Sequence, residues 1–292
     1  MQYPTLTVFT PTYNRAHTLV RTYESLCRQT SKDFEWLIID DGSTDVTEEH
    51  VFSWIAEYKI KIRYIKKSNG GLHTGYTAAI ANIRTELNIC IDSDDYMPDD
   101  AVNKIIDTWR TVKKDDLAGI VGLDYTLEGK PIGGVFSQLG EKHFYEIGDF
   151  HCGDTKIACR TDILQSLPQM RSFGSEKNFN PIYYYMQIDA DHKFYLVNEN
   201  LCVVDYQPEG MSAGIFRQYR NSPRSFAEIR RLAMRMTYYS LKRQYINAAH
   251  YVSSAIFSGD RHFLSTSPRP VLTFLAIPAG IAINLLVRYK TR

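Results

Sequence analysis

The sequence has almost no charge imbalance: 34 Lys and Arg stand against 33 Asp and Glu in 292 residues, a formal net charge of +1. Bulk electrostatics therefore give no reason to expect a nucleic-acid partner. Cysteine is scarce and odd in number, at Cys27, Cys90, Cys152, Cys159 and Cys202, and no pair has the spacing of a zinc site. Cys27, Cys90 and Cys202 fall in apolar periodic segments, so they read as buried free thiols of a reducing compartment. The opening Met1-Gln2-Tyr3-Pro4 carries no secretory signal, which leads to the expectation of a cytoplasmic protein. Internal repeats and low-complexity segments are lacking. After the first apolar run stands Pro11-Thr12-Tyr13-Asn14-Arg15, without glycine, and this counts against the glycine-rich basic loop of a nucleotidyltransferase.

What is present is acid at the ends of apolar runs. Leu87, Ile89 and Ile91 alternate along a strand that ends in Asp92-Ser93-Asp94-Asp95. Trp36-Leu37-Ile38-Ile39 is a second such strand, and it ends in Asp40-Asp41-Gly42-Ser43-Thr44-Asp45. A first strand over Leu6 to Thr10 and another over Ile60 to Ile65 alternate with helical patterns through Leu19, Tyr23 and Leu26 and through Ala78 and Ile83. The order β, α, β, α, β, α, β predicts an α/β fold with a mostly parallel sheet, whose strand tips gather along one edge. Open α/β sheets bind ligands at that edge. Clustered carboxylates there suit a hard divalent cation, Mn²⁺ or Mg²⁺, which prefers oxygen ligands and needs only one or two from the protein. A solvated turn capping the next helix is the bland alternative for each cluster.

The block Thr7-Val8-Phe9-Thr10-Pro11-Thr12-Tyr13-Asn14-Arg15, the Ile39 to Asp45 block, the Asn69-Gly70-Gly71 turn and Asp92-Ser93-Asp94-Asp95, in this order and spacing, resemble family 2 glycosyltransferases of the GT-A fold. The resemblance covers the first third of the chain. A weaker echo follows at Gly153 to Asp162 and at Phe173-Gly174-Ser175-Glu176-Lys177. It implies a Rossmann-like GT-A domain over 1–215, with nucleotide-sugar binding in 1–100 and the acceptor side in 101–215. It implies transfer of a hexosyl group from a nucleotide diphosphate sugar, most naturally a UDP-sugar, to an acceptor hydroxyl with inversion, with a divalent metal on the diphosphate. By the same resemblance Pro11, Thr12 and Tyr13 border the nucleobase, and Asp40 or Asp41 receives a base NH. Asn69 and Gly70 let the backbone approach the donor, Asp92 approaches the ribose, and Asp94 takes the metal with Asp95 supporting it. The arginine usual beyond the glycine turn is replaced by Gly75-Tyr76-Thr77, which makes His73 the substitute phosphate partner.

The family takes its general base from an acidic pair at the start of a later helix. Here Asn180-Pro181 precedes the helix expected at Ile182 to Ile188, and neither residue accepts a proton at neutral pH. Glu176 is the first replacement candidate and Asp154 the second, with Asp189 and Asp191 further along; His192, beside Asp191, is a candidate third metal ligand or a surface partner of that acid. Without a base, the chain would be a non-catalytic sugar-nucleotide binding protein.

From about Arg217 to Tyr251 the sequence is basic, helical and amphipathic, which suits an anionic membrane surface as well as an ordinary solvated face. Residues 271–287 are uncharged, barely of spanning length and interrupted by Pro278-Ala279-Gly280, with Arg288, Lys290 and Arg292 beyond. The expectation is a helical extension over 216–292 whose segment 270–288 lies on the inner face of the membrane, with a buried hairpin as the rival. Such a tail fits saccharide or lipid-linked acceptors in bacterial surface polysaccharide or glycolipid assembly.

Overall fold

The computed structural model describes residues 3–151, 153–206 and 214–292, with the side chains of 149 and 150 left aside. Cys152 lies outside the described residues, whereas Cys27, Cys90, Cys159 and Cys202 are free thiols. The chain divides into two compact units. One comprises 1–70, 74–168 and 188–206, and the other 71–73, 169–187 and 207–292.

The first unit begins β1 (Leu6–Thr12), α1 (Ala16–Arg28), β2 (Phe34–Asp40), α2 (Thr47–Glu57), β3 (Ile62–Lys66), α3 (Leu72–Asn82), β4 (Leu87–Cys90) and α4 (Ala101–Val112). Side chains alternate across these strands, and each set has its own core. Leu6, Val8, Trp36, Ile38, Leu87 and Ile89 face α1, α2 and α4 through Leu19, Tyr23, Val51, Trp54, Ile105 and Trp109. Phe9, Leu37, Ile39 and Cys90 face Ala79 and Ile83 on the α3 side. Burying each large apolar side chain contributes roughly 1.5–3 kcal/mol, so the two-sided pattern fixes the sheet between its helices.

Further along come β5 (Leu117–Tyr125), β6 (Gly140–Lys142), α5 (Phe144–Phe150), β7 (Thr155–Arg160), α6 (Thr161–Ser166) and β8 (Lys193–Val203), while α7 (Ile182–Ile188), before β8 in the chain, belongs to the second unit save for its last residue. The eight strands have the order β3-β2-β1-β4-β7-β5-β8-β6. The first four run parallel, as expected. The sequence pattern did not anticipate β7, which inserts antiparallel between β4 and β5. Gly119, at φ 154°, permits this pairing, because a Cβ there would lie 2.0 Å from the Ala158 carbonyl.

The second unit holds α8 (Ile215–Asn221), α9 (Pro223–Arg235), α10 (Leu241–Ser258), α11 (Pro270–Leu275) and α12 (Ile277–Lys290). Met234, Ala248, Ala249, Tyr251 and Ala276 form its core. This unit also takes in 169–187, because that segment bonds to the start of α9. No described helix is long and apolar enough to cross a membrane.

Candidate active site

Parallel pairing fixes where the strand-end acids go. Thr12 on β1 is level with Asp40 on β2, and on the other side the Ile91 N–H donates to the Phe9 carbonyl at 3.0 Å. The tips of β2 and β4 therefore flank β1 on one sheet edge, about 10 Å apart by two inter-strand spacings. Asp41 and Asp94 do not open onto opposite ends of the sheet.

The β1 and β2 tips are tied together. The Asn14 N–H donates to Ser43 Oγ at 2.9 Å, and Asn14 Oδ1 accepts from the Thr44 N–H at 2.8 Å. Asn14 adopts φ 53°, a left-handed conformation Asn tolerates. Pro11 is half-buried, Thr12 is buried with no hydrogen-bond partner for Oγ1 among the described residues, and Tyr13 is exposed at the tip.

Asp40 is fully buried, its Oδ1 accepting from the Ser43 N–H at 2.7 Å and its Oδ2 from the Tyr64 hydroxyl. That makes it a turn-forming acid. Asp41 reaches across to the 67–74 loop: Lys67 Nζ, the Gly70 N–H at 2.9 Å and the Thr74 hydroxyl all donate to its Oδ1. Of the two acids left open by the sequence, Asp41 thus organises the loop holding Asn69 and Gly70. Gly70 has no room for a side chain, since a Cβ would meet Thr74 Oγ1 at 2.5 Å.

The β4 tip is clamped by α1. Arg21 Nη2 donates to the Asp94 carbonyl, Arg21 Nη1 pairs with Asp205 at 2.8 Å, and the Thr22 hydroxyl donates to the Asp95 carbonyl at 2.7 Å. The Asp92 side chain is 51% exposed, whereas Asp94 is half-buried. Burial and the neighbouring Asp92 charge push the Asp94 carboxyl above its ordinary value. Two mutually repelling carboxylates on a clamped backbone suit a hard cation, whose charge relieves both burial and repulsion. Among the described residues no cluster of three or more His, Cys, Asp or Glu is arranged around a metal position. Asp92 and Asp94 could hold a cation only with further ligands from phosphate and water.

Asp95, expected as a supporting metal ligand, turns inward instead. It is buried, its Oδ2 accepts from Lys156 Nζ at 3.1 Å, and its Oδ1 accepts from the Asp205 N–H at 3.3 Å. The antiparallel register explains this arrangement: Ile89 pairs with Ala158 and Gly122 with Lys156, so β7 delivers Lys156 between the ends of β4 and β5. Lys156 Nζ also lies 3.7 Å from Asp92 and 4.0 Å from Asp124. Burial pushes the Asp124 carboxyl up to about 7, with Lys156 opposing the rise and Asp95, Asp154 and Asp92 adding to it. Sequence reasoning missed both residues. Asp124 follows the apolar run of β5, as the other acids follow theirs, and that was its available signal.

Asp154 is exposed at the start of β7, and the Tyr206 hydroxyl donates to its Oδ2 at 2.6 Å. Burial and this bond to Asp154 raise the tyrosine above its ordinary value. Glu176 lies in the second unit. Its Oε1 accepts from the Arg224 N–H at 2.9 Å and its Oε2 from the Ser225 N–H at 2.8 Å and the Ser225 hydroxyl at 2.7 Å. Both oxygens therefore serve the otherwise unsatisfied amides at the start of α9. His73, expected at a phosphate, is buried in the second unit with Nε2 3.2 Å from Ser172 Oγ and its ring tilted on Phe179. Asp189 accepts from the Phe144 and Tyr145 N–H groups at 2.6 and 3.1 Å, as a cap of α5.

Comparison with known proteins agrees with this geometry. Residues 7–132 match Glycosyl transferase family 2. Chondroitin synthase of Escherichia coli is 34% identical over 107 residues, 37% of this chain and 16% of that protein. Glycosyltransferase GlyA of Streptococcus pneumoniae serotype 4 is 31% identical over 100 residues, 34% of this chain and 14% of that protein. The chain thus matches only a small part of these relatives' length. The crystal structure of S. aureus TarS 1-349 in complex with UDP-GlcNAc superposes with a TM-score of 0.62 at 16% identity, covering 98% of this chain and 91% of that one. The mannosyltransferase PcManGT from Pyrobaculum calidifontis in complex with GDP-Man and Mn²⁺ gives 0.59 at 16% identity, covering 100% and 84%. At such identities the likeness is one of fold, the GT-A fold. The strand-tip acids, the matched segment and the fold agree: residues 7–132 are similar to the family 2 glycosyltransferases, and the chain has their fold.

Proposed function

We propose that the protein transfers a sugar from a UDP-sugar to a hydroxyl of a saccharide or lipid-linked acceptor, with inversion at the anomeric carbon, at the cytoplasmic face of a membrane. The observation that carries this reading is the Asp92 and Asp94 pair at the β4 tip, on the same sheet edge as the β1 and β2 tips. Asp94, aided by Asp92, would hold Mn²⁺ or Mg²⁺, which when bound neutralises charge on the leaving diphosphate.

The chain's own residues do the remaining work. Arg21 and Thr22 hold the backbone that carries Asp94. Lys156 neutralises Asp95, so that Asp92 and Asp94 alone face the donor. Pro11, Thr12, Tyr13, Asp41, Asn69 and Gly70 border the nucleotide. Asp154, oriented by Tyr206, accepts the proton of the acceptor hydroxyl as general base.

The test is release of nucleoside diphosphate by the purified protein over a panel of UDP and GDP sugars with Mn²⁺ and oligosaccharide acceptors. The reading predicts turnover with at least one donor, its loss on chelation, and its loss in Asp94→Ala. Donor binding without release across the whole panel would instead identify a sugar-nucleotide binding protein.

A further inference from the structure

α11 and α12 each bury one side and leave the other apolar side in water. In α12 the buried side is Gly280, Asn284 and Val287. Gly280 sits so close to α10 that a Cβ would lie 2.5 Å from Val252 Cβ, and Asn284 Nδ2 donates to the Ser253 carbonyl at 3.3 Å. On the opposite side Val271 is 73% exposed, Phe274 62%, Leu285 61% and Tyr289 70%. The exposed positions Val271, Leu275, Pro278, Ala282, Leu285 and Tyr289 follow spacings of three and four across the break at Ala276, so they form one stripe along both helices. A soluble helix reverses this arrangement, turning its polar side to water.

Charge decides what covers the stripe. Residues 261–292 hold Arg261, Arg269, Arg288, Lys290 and Arg292 and no acid. A second copy laid on this stripe would bring an equally cationic segment with no acid to answer it. An anionic lipid surface supplies both the apolar depth and the opposite charge.

The geometry points to α11 and α12 as a monolayer-docking face, which lies flat in the interface of an anionic leaflet, immersing Val271, Phe274, Leu275, Ile281 and Leu285 with Arg288 and Lys290 at the headgroups. This deepens the lipid-facing part of the proposed function and rests on it only for its biological setting. Vesicle binding is measured without donor or acceptor, so its failure leaves the transfer assay untouched.

The experiment is flotation of the full chain with phosphatidylcholine vesicles containing phosphatidylglycerol, against phosphatidylcholine alone, with sedimentation velocity run in parallel. Wild-type protein is expected to float with anionic vesicles and to weaken in high salt. Phe274→Glu with Leu285→Glu, both at exposed positions, should lower binding by about tenfold or more with the helical circular dichroism unchanged. Arg288→Glu with Lys290→Glu should remove the preference for phosphatidylglycerol. Equal binding by wild type and the Phe274→Glu, Leu285→Glu protein, or no flotation together with a dimer that this pair of changes dissociates, overturns the proposal.

Discussion

Among the described residues Lys156 is the one cation within 4.0 Å of Asp95, Asp124 and Asp92 together, and this arrangement has a measurable consequence. Asp124 is buried, its Oδ1 has no hydrogen-bond partner among the described residues, and its carboxyl is pushed up from 3.8 to about 7. A carboxyl whose value is higher in the folded chain contributes stability that is complete below about pH 4 and is lost as pH rises through 7. Burial and the coupled neighbours move Asp95 in the same direction. Asp124→Asn removes the larger slope and leaves Lys156 paired with Asp95. The variant's melting temperature, relative to wild type, should therefore be higher at pH 8 than at pH 5. An identical difference at both pH values would show that Asp124 is ionised throughout. At this scale Asp92 and Asp94 were legible, because the alternation of Leu87, Ile89 and Ile91 ends where the acids begin. Lys156 was not, since nothing local joins residue 156 to residue 95. That meeting depends on the antiparallel insertion of β7, a pairing of distant segments.

Helix ends show what linear distance from a motif leaves out. Glu176 and His73 both lie near recognisable motifs, and each has a partner that linear distance does not show. Glu176 meets Ser225, 49 residues on, and His73 meets Ser172, 99 residues on. Glu176 sits at the positive end of α9, where a carboxylate accepting amide N–H groups stabilises by about 1–2 kcal/mol. Glu176→Gln should accordingly lower the unfolding free energy measured in urea by that amount and leave the turnover of folded protein near the wild-type value. A hundredfold fall in kcat at unchanged stability would restore Glu176 as the general base. The first strands and helices were legible element by element, because burial on both faces makes a strand such as β2 a short continuous apolar run and burial on one face gives α1 a period near 3.6. The break between α11 and α12 was legible as well, at Pro278-Ala279-Gly280, within two residues of Ala276 where the helices part.

For the molecule as a whole, two units carry two kinds of chemistry. The first gathers the tips of β1, β2 and β4 on one edge and sets Asp94 against Asp92 there. The second ends in a cationic helix pair with its apolar side outward. The sequence pattern marked a helical extension from 216, but it could not show that 169–187 joins it, because the bonds of Glu176 and Asn178 to the start of α9 leave no periodic trace. The most direct test of the central claim is calorimetric titration of UDP or GDP, whichever the wild-type protein binds, with and without Mn²⁺, into wild type, Asp94→Asn and Asp95→Asn. The account predicts that Mn²⁺ tightens nucleotide binding in wild type and in Asp95→Asn, and that Asp94→Asn loses this gain, on the order of tenfold or more. Nucleotide affinity indifferent to Mn²⁺ in wild type, or a gain that survives in Asp94→Asn and disappears in Asp95→Asn, would contradict it.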